Sequence, residues 1–211
     1  DSRAMLNNQR VEVCYNVQTT VDSKHKLIID HEVTNKATDH DQLSQMSKRA
    51  KEILGVDELE VLADKGYYDA MEIKECVDNG ITPYIPEPAN AAPKDGNIPE
   101  PGYCRGKFRY DAEEDVYVCP GGSKLTFKGT ANHYDKVMRV YKCKDCQGCQ
   151  VKDRCTRNSK GRTIYRWEHE DILEEMRRRV QADKEKVKMR QWLSEHPFGT
   201  IKRSFNQGYM L

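Results

Sequence analysis

The run Glu60-Val61-Leu62-Ala63-Asp64-Lys65-Gly66-Tyr67-Tyr68-Asp69 constrains this chain more than any other stretch. Three apolar residues are too few for a helix core, and they stop at a carboxylate with a glycine two positions on. The pattern predicts a buried strand ending in acid. Parallel strands of open α/β sheets point their carboxyl ends into the crevice where chemistry occurs, which makes Asp64 a candidate catalytic residue. Gly66 reads as the residue that lets the chain turn sharply. A local role stands level with catalysis on this stretch alone, with Asp64 capping a helix that begins near Asp69.

Near the other end runs Ser194-Glu195-His196-Pro197-Phe198-Gly199-Thr200-Ile201-Lys202-Arg203. Proline fits the first turn of a helix behind a Ser194 cap, so Glu195 is expected to start one. Seven residues at about 100° each return Lys202 to nearly the face of Glu195, about 10 Å further along the axis. One face then carries a carboxylate and a cation.

Together these two stretches resemble the DDE transposases of bacterial insertion sequences, in the group with "ADKGYYD" and "EHPFGTIKR" strings. The resemblance extends to "DSRAM" at the start, to "YNVQTTVD", "HKLII" and "EVTN", and to "YVCPGG" with "CQGCQVKDRCT" in the middle. It implies a ribonuclease-H-like core: an α/β fold with a mixed sheet and flanking helices. It also implies Asp64 and Glu195 as catalytic carboxylates binding Mg2+ or Mn2+. Two such ions, about 4 Å apart, would serve in-line attack on a DNA phosphodiester. The first acid of the family pattern falls just before this chain, with the first strand, so Asp1 is either its neighbour or its stand-in; Asp22 is a weaker alternative. In a related tyrosine, arginine, glutamate, lysine signature, Lys202 stands at the right distance from Glu195. The arginine position holds Gln191, with Arg190 adjacent, and the tyrosine position holds Lys188. The implied partners are transposon ends and target DNA, handled by a homodimer.

The overall net charge of +1 hides a segregation. Residues 1–102 carry a net −8, and residues 136–166 a net +8. A dense basic segment of that kind meets phosphate, and Tyr141, Tyr165 and Trp167 interleave with its cations as candidate base-stacking groups. Lys152, Arg154 and Arg157, with Arg190, Lys202 and Arg203, are the candidate DNA-binding residues. A merely solvated basic face is the competing reading. No apolar run approaches the roughly 20 residues of a membrane span, which leads us to expect a cytoplasmic protein, nucleoid-associated when acting, with reduced cysteines.

Residues 11–22 and 27–33 read as a hairpin around Asp22, and Asp39 as a cap opening a helix that ends at Gly55. A strand, a helix over 70–79 and a short strand over 82–85 follow. Residues 87–102 are proline-rich and read as a linker. Beyond it, 103–162 reads as a β-rich, zinc-ribbon-like insertion in a core formed by 1–86 and 163–211. Cys146-x-x-Cys149 is a ligand knuckle, Cys155 follows, and Cys119 before Pro120-Gly121-Gly122 completes four thiolates for Zn2+. Cys143 is an alternative ligand, and disulfides rank below zinc. Residues 168–193 read as one charged helix returning to the core. The function expected is metal-dependent cleavage and strand transfer. Its alternatives are an inactive or repurposed DNA-binding protein and a zinc-dependent interaction module.

Overall fold

The computed structural model describes residues 2–7, 10–88 and 98–204, and the side chains of residues 6–10, 12, 194–196, 198 and 200–204 also lie outside that description. The chain forms two compact units, Asp1–Pro88 with Asp171–Leu211, and Ala89–Glu170.

The first unit opens with two antiparallel hairpins, β1 (Arg3–Asn7) with β2 (Arg10–Cys14), and β3 (Asn16–Val21) with β4 (Ile28–Thr34). Asp22 makes the second turn: its carboxylate accepts from the backbone of His25 (2.6 Å) and Lys24 (3.3 Å). The His25 N–H in particular holds that carboxyl below its ordinary range. Next comes helix α1 (Leu43–Leu54), which buries Leu43, Met46 and Ala50 and ends at Gly55 with φ 63°, a left-handed value suited to glycine. Asp39 does not cap it. The cap position is Gln42, and the backbone N–H of Ser44 donates instead to Glu72 of the next helix (2.8 Å).

A β-α-β unit follows. Strand β5 (Leu59–Leu62) and β6 (Ile81–Tyr84) pair in parallel, joined by helix α2 (Ala70–Asp78). Ile73 and Cys76 of α2 are fully buried, as is Ile81 of β6. Burial pushes the Cys76 thiol up to about 12, the behaviour of an inert core residue. A single mixed sheet was expected in this unit. Among the described residues its strands form three separate two-stranded sheets, each pairing between chain neighbours.

The second unit is built on an antiparallel meander in the order β11-β10-β9-β8-β7. Its strands are β7 (Arg109–Asp111), β8 (Val116–Val118), β9 (Lys124–His133), β10 (Lys136–Cys143) and β11 (Thr163–Trp167), with the short helix α3 (Lys152–Cys155) before β11. The boundary expected at residue 163 is corrected here, because β11 hydrogen-bonds along β10 from Trp167 to Thr163. Of the proposed linker, residues 89–97 lie outside the described residues, and Pro101–Tyr103 forms a 3-10 turn. Phe108, Tyr117, Leu125, Tyr141 and Ile164 make the core together with Cys143 and Cys155. Asp115 accepts from Tyr110 (2.8 Å) and Tyr141 (2.6 Å) and pairs with Arg139. Burial opposes its charge, but the bonds from Tyr141, Tyr110 and Arg139 prevail and keep its carboxyl low.

The chain returns to the first unit through α4 (Glu170–Ala182) and α5 (Lys184–Ser204). One helix over 168–193 was expected; Asp183 breaks it, its carboxylate accepting from the backbone of Lys186 (2.9 Å) as an N-cap does. The helix start expected at Glu195 is likewise corrected, since α5 runs through Ser194 and contains Pro197 in its interior. Lys186 fastens α5 to β5 through Glu60 (2.5 Å) and lies over the Tyr84 ring. Lys26 lies over Trp192, 4.0 Å from the ring centre, which ties α5 to the β3–β4 turn.

Candidate acidic site and cysteine cluster

Asp64 lies two residues beyond the end of β5, after Ala63, whose backbone N–H still reaches Tyr84 (3.4 Å). Its carboxylate accepts from the backbone of Gly66 (2.6 Å) and caps the 3-10 turn Lys65–Tyr67. Helix α2 has its own cap in Asp69, which accepts from Met71 and Glu72. The local role of Asp64 is therefore real, but it concerns a different turn from the one expected.

Gly66 does not have a left-handed φ, so a sharp turn is not why glycine stands there. A Cβ at Gly66 would lie 2.9 Å from Asp64 Oδ1 and 3.5 Å from Asp39 Oδ2. The missing side chain is what lets two carboxylates approach the same point. Asp39 Oδ1 accepts from Asn16 (2.8 Å) and from Gln18 (2.7 Å). Gln18 in turn accepts a hydrogen bond from the hydroxyl of Tyr67. Burial, and then the charges of Asp39 and Asp64, raise the Tyr67 phenol well above its ordinary range, against a smaller opposing pull from Arg190. Sequence pattern favours Asp39 as a helix cap over a metal ligand; 25 positions separate it from Asp64, and the fold brings both carboxylates to Gly66.

Of the other expected site residues, Arg190 lies on α5 within electrostatic reach of Tyr67. Glu195, Lys202 and Arg203 are on the same helix, with side chains outside the described residues, and Asp1 lies outside them altogether.

In the second unit, Cys119, Cys143, Cys146, Cys149 and Cys155 all line one enclosed cavity of about 20 Å³. All are free thiols. The Cys119 sulfur accepts from the backbone of Ser123 (3.3 Å) and the Cys146 sulfur from that of Arg162 (3.4 Å). Burial pushes the Cys143 thiol up to about 11 and raises that of Cys155 as well. Among the described residues, no group of three or more His, Cys, Asp or Glu is disposed to hold a metal ion. Gly161 closes over the cluster with φ 91°, and a Cβ there would lie 2.5 Å from that of Cys146. Gly161→Ala is therefore expected to destabilise this unit by about 2–4 kcal/mol, from backbone strain plus overpacking, read as an earlier denaturant midpoint.

The basic segment is partly consumed inside this unit. Arg139 pairs with Asp115 and Arg154 with Glu100 (2.9 Å), while Arg162 and Arg166 are buried over the rings of Phe108 and Tyr110. Tyr141 is fully buried and Trp167 is 3% exposed, so the expectation that both stack on bases is corrected; Tyr165 is half exposed. Lys152 donates to the backbone of Ser159 (3.1 Å), and Arg157 is exposed.

The protein is a mixed α/β chain with two carboxylates brought to Gly66 in one unit and a cysteine-lined cavity in the other. Residues 118–210, less than half of the chain, match the family model described as the transposase DDE domain. It contains the cysteines from Cys119 onward, Glu195 and Lys202, and it leaves Asp64 outside. No curated protein and no solved structure matches the chain. Among the described residues, no helix is long and apolar enough to cross a membrane.

Proposed function

We propose that this chain carries the chemistry of a DNA transposase that cleaves transposon ends and transfers the strand, with Asp64 and Glu195 as carboxylates of one site for Mg2+ or Mn2+. The observation that carries the reading is the match over residues 118–210, which includes Glu195 on α5, the helix that Lys186 ties to β5 at Glu60. Hard carboxylate oxygens suit those cations, which when bound polarise a phosphodiester and lower the pKa of an attacking water or hydroxyl. The residues of the chain divide the remaining work. Asp64 is held in place by the Gly66 N–H, and Lys202 and Arg203 lie further along α5, where cations can meet the phosphate backbone. Two DNA ends call for two copies of the protein in the working complex.

In the same reading Cys119, Cys146, Cys149 and Cys155 take a structural Zn2+, with Cys143 as the spare thiol. Support comes from the cavity they share and from the N–H donors on two of the sulfurs. Binding of DNA is expected to be steeply salt-dependent. Replacing Lys152, Arg154 and Arg157 together by alanine should lower the slope of log affinity against log salt by about 0.9 for each phosphate that is no longer neutralised. An unchanged slope would assign the basic segment to solvated surface. The catalytic part of the proposal is tested by Asp64→Ala and Glu195→Ala, each of which should remove magnesium-dependent strand cleavage while leaving DNA binding largely intact.

A further inference from the structure

We propose that Tyr134, at the tip of the β9–β10 hairpin, stacks on an unpaired base of bound DNA, an inference that rests on the chain being a DNA-acting protein. Two residues, Tyr134 and Asp135, join the strands between the opposed pair His133 and Lys136. Tyr134 has φ 53°, in the left-handed region where a bulky side chain is disfavoured and where hairpin turns usually place glycine, asparagine or aspartate. Its side chain is 91% exposed, so no burial within the protein offsets that cost. The ring meets only that of His133, edge-on with centres 4.8 Å apart. Stability alone would put glycine at this position, and a strained residue that the fold does not use points to a use outside it.

The tip stands clear of the sheet. Strand β11 accompanies β10 only from Met138 to Lys142, and β8 accompanies β9 only from Lys124 to Thr126. Beyond Met138 and its partner Ala131 the hairpin continues as a ribbon of two strands, and three more residues at about 3.4 Å each carry Tyr134 roughly 10 Å further. Along residues 128–139, Lys128, Lys136 and Arg139 stand against one acid, Asp135. Arg139 is spent on Asp115, but Lys128, the residue skipped by the register shift opposite Val140 and Tyr141, is exposed and holds no ion pair among the described residues. An exposed ring by itself would suit a protein partner equally well. Cations on the ribbon, continuous with the net +8 of residues 136–166, favour a polyanion, and every base offers a face on which a ring can stack.

The test follows binding of a fluorescently labelled single strand, and of the same sequence as a blunt duplex, by anisotropy across a salt series, with thermal melting and size-exclusion chromatography alongside. Tyr134→Gly should raise the melting temperature, because glycine accepts the left-handed φ. It should nevertheless weaken single-strand binding about 5- to 100-fold, with less effect on the duplex and no change in salt slope, since stacking releases no counterions. Tyr134→Phe keeps the ring and should bind like the parent, while Lys128→Ala should lower the single-strand slope by about 0.7. A Tyr134→Gly protein that binds the single strand like the parent overturns the proposal. So does a loss matched by Tyr134→Phe, which would put the hydroxyl in place of the ring, or a loss accompanied by a lower melting temperature, which would make the tip merely structural. A changed oligomeric state with DNA affinity intact would give the tip to a second copy of the chain and overturn it as well. If the parent shows no salt-dependent binding to either DNA, the functional reading fails and takes this inference with it, whereas salt-dependent binding that Tyr134→Gly leaves untouched overturns the inference alone.

Discussion

Cys149→Ser is expected to strip zinc from the purified protein and to unfold residues 98–170 while the first unit stays folded. Structural zinc contributes about 10–16 kcal/mol of apparent binding free energy in small domains, more than a meander with so few core side chains can replace. That core consists of five aromatic or aliphatic residues and the cysteines themselves. Among the described residues no three of the thiols are disposed to share an ion as the chain stands, so loading must bring the ligand sulfurs closer together. It must also displace the proton that burial holds on Cys155, which makes retention of the metal weaker as pH falls. Elemental analysis should return close to one zinc per chain, and strong chelators should remove it with loss of hydrogen-exchange protection confined to this unit. Zinc-free protein whose mass shows oxidised cysteine pairs would replace the metal with disulfides.

Asp64→Ala should lower magnesium-dependent strand cleavage by roughly a thousandfold or more, while leaving DNA affinity nearly unchanged. The size follows from losing a metal-holding carboxylate, several kcal/mol of transition-state stabilisation at about 1.4 kcal/mol per tenfold. Glu195→Ala should match it, and Lys202→Ala should weaken cleavage less completely, since a phosphate contact is only one of several. The alanine at Asp64 also releases the Gly66 N–H and loosens the Lys65–Tyr67 turn. Asp64→Asn separates the two roles, because an amide oxygen can still accept that bond but carries no charge. If Asp64→Asn cleaves like the parent, Asp64 is only a cap. Salt-dependent DNA binding with no cleavage by any form would favour a DNA-binding protein without nuclease chemistry.

The features legible in the sequence were those fixed by neighbours along the chain. The Asp22 turn, the β5-α2-β6 unit and the left-handed Gly55 each follow from residues within a few positions, and the structure has all three. The break at Asp183 carried a signal too, an acid that can cap the helix restarting at Lys184, but continuous helical patterning on both sides concealed it. Tyr141 and Trp167 were misread because interleaved aromatics and cations look alike whether the rings face solvent or a core. Here the half-buried Asp115 gives the Tyr141 hydroxyl a hydrogen-bond partner, and the ring can therefore go inside. Asp39 was beyond reach of sequence pattern: its short polar side chain suits a helix cap equally well, and only Asn16 and Gln18 on a distant strand decide otherwise.

Glu87 and Arg177 form a two-pronged ion pair, 2.7 Å at its shorter contact, within the first unit. They stand just before the chain leaves that unit and just after it comes back, so its departing and returning segments are clasped side by side. An excursion whose two ends already meet adds little closure entropy to its host however long it grows, since that term rises only with the logarithm of length. The stretch Ala89–Glu170 can thus be gained, exchanged or trimmed over evolutionary time as a graft on a closed stem, leaving the frame that carries Asp64 and α5 in register.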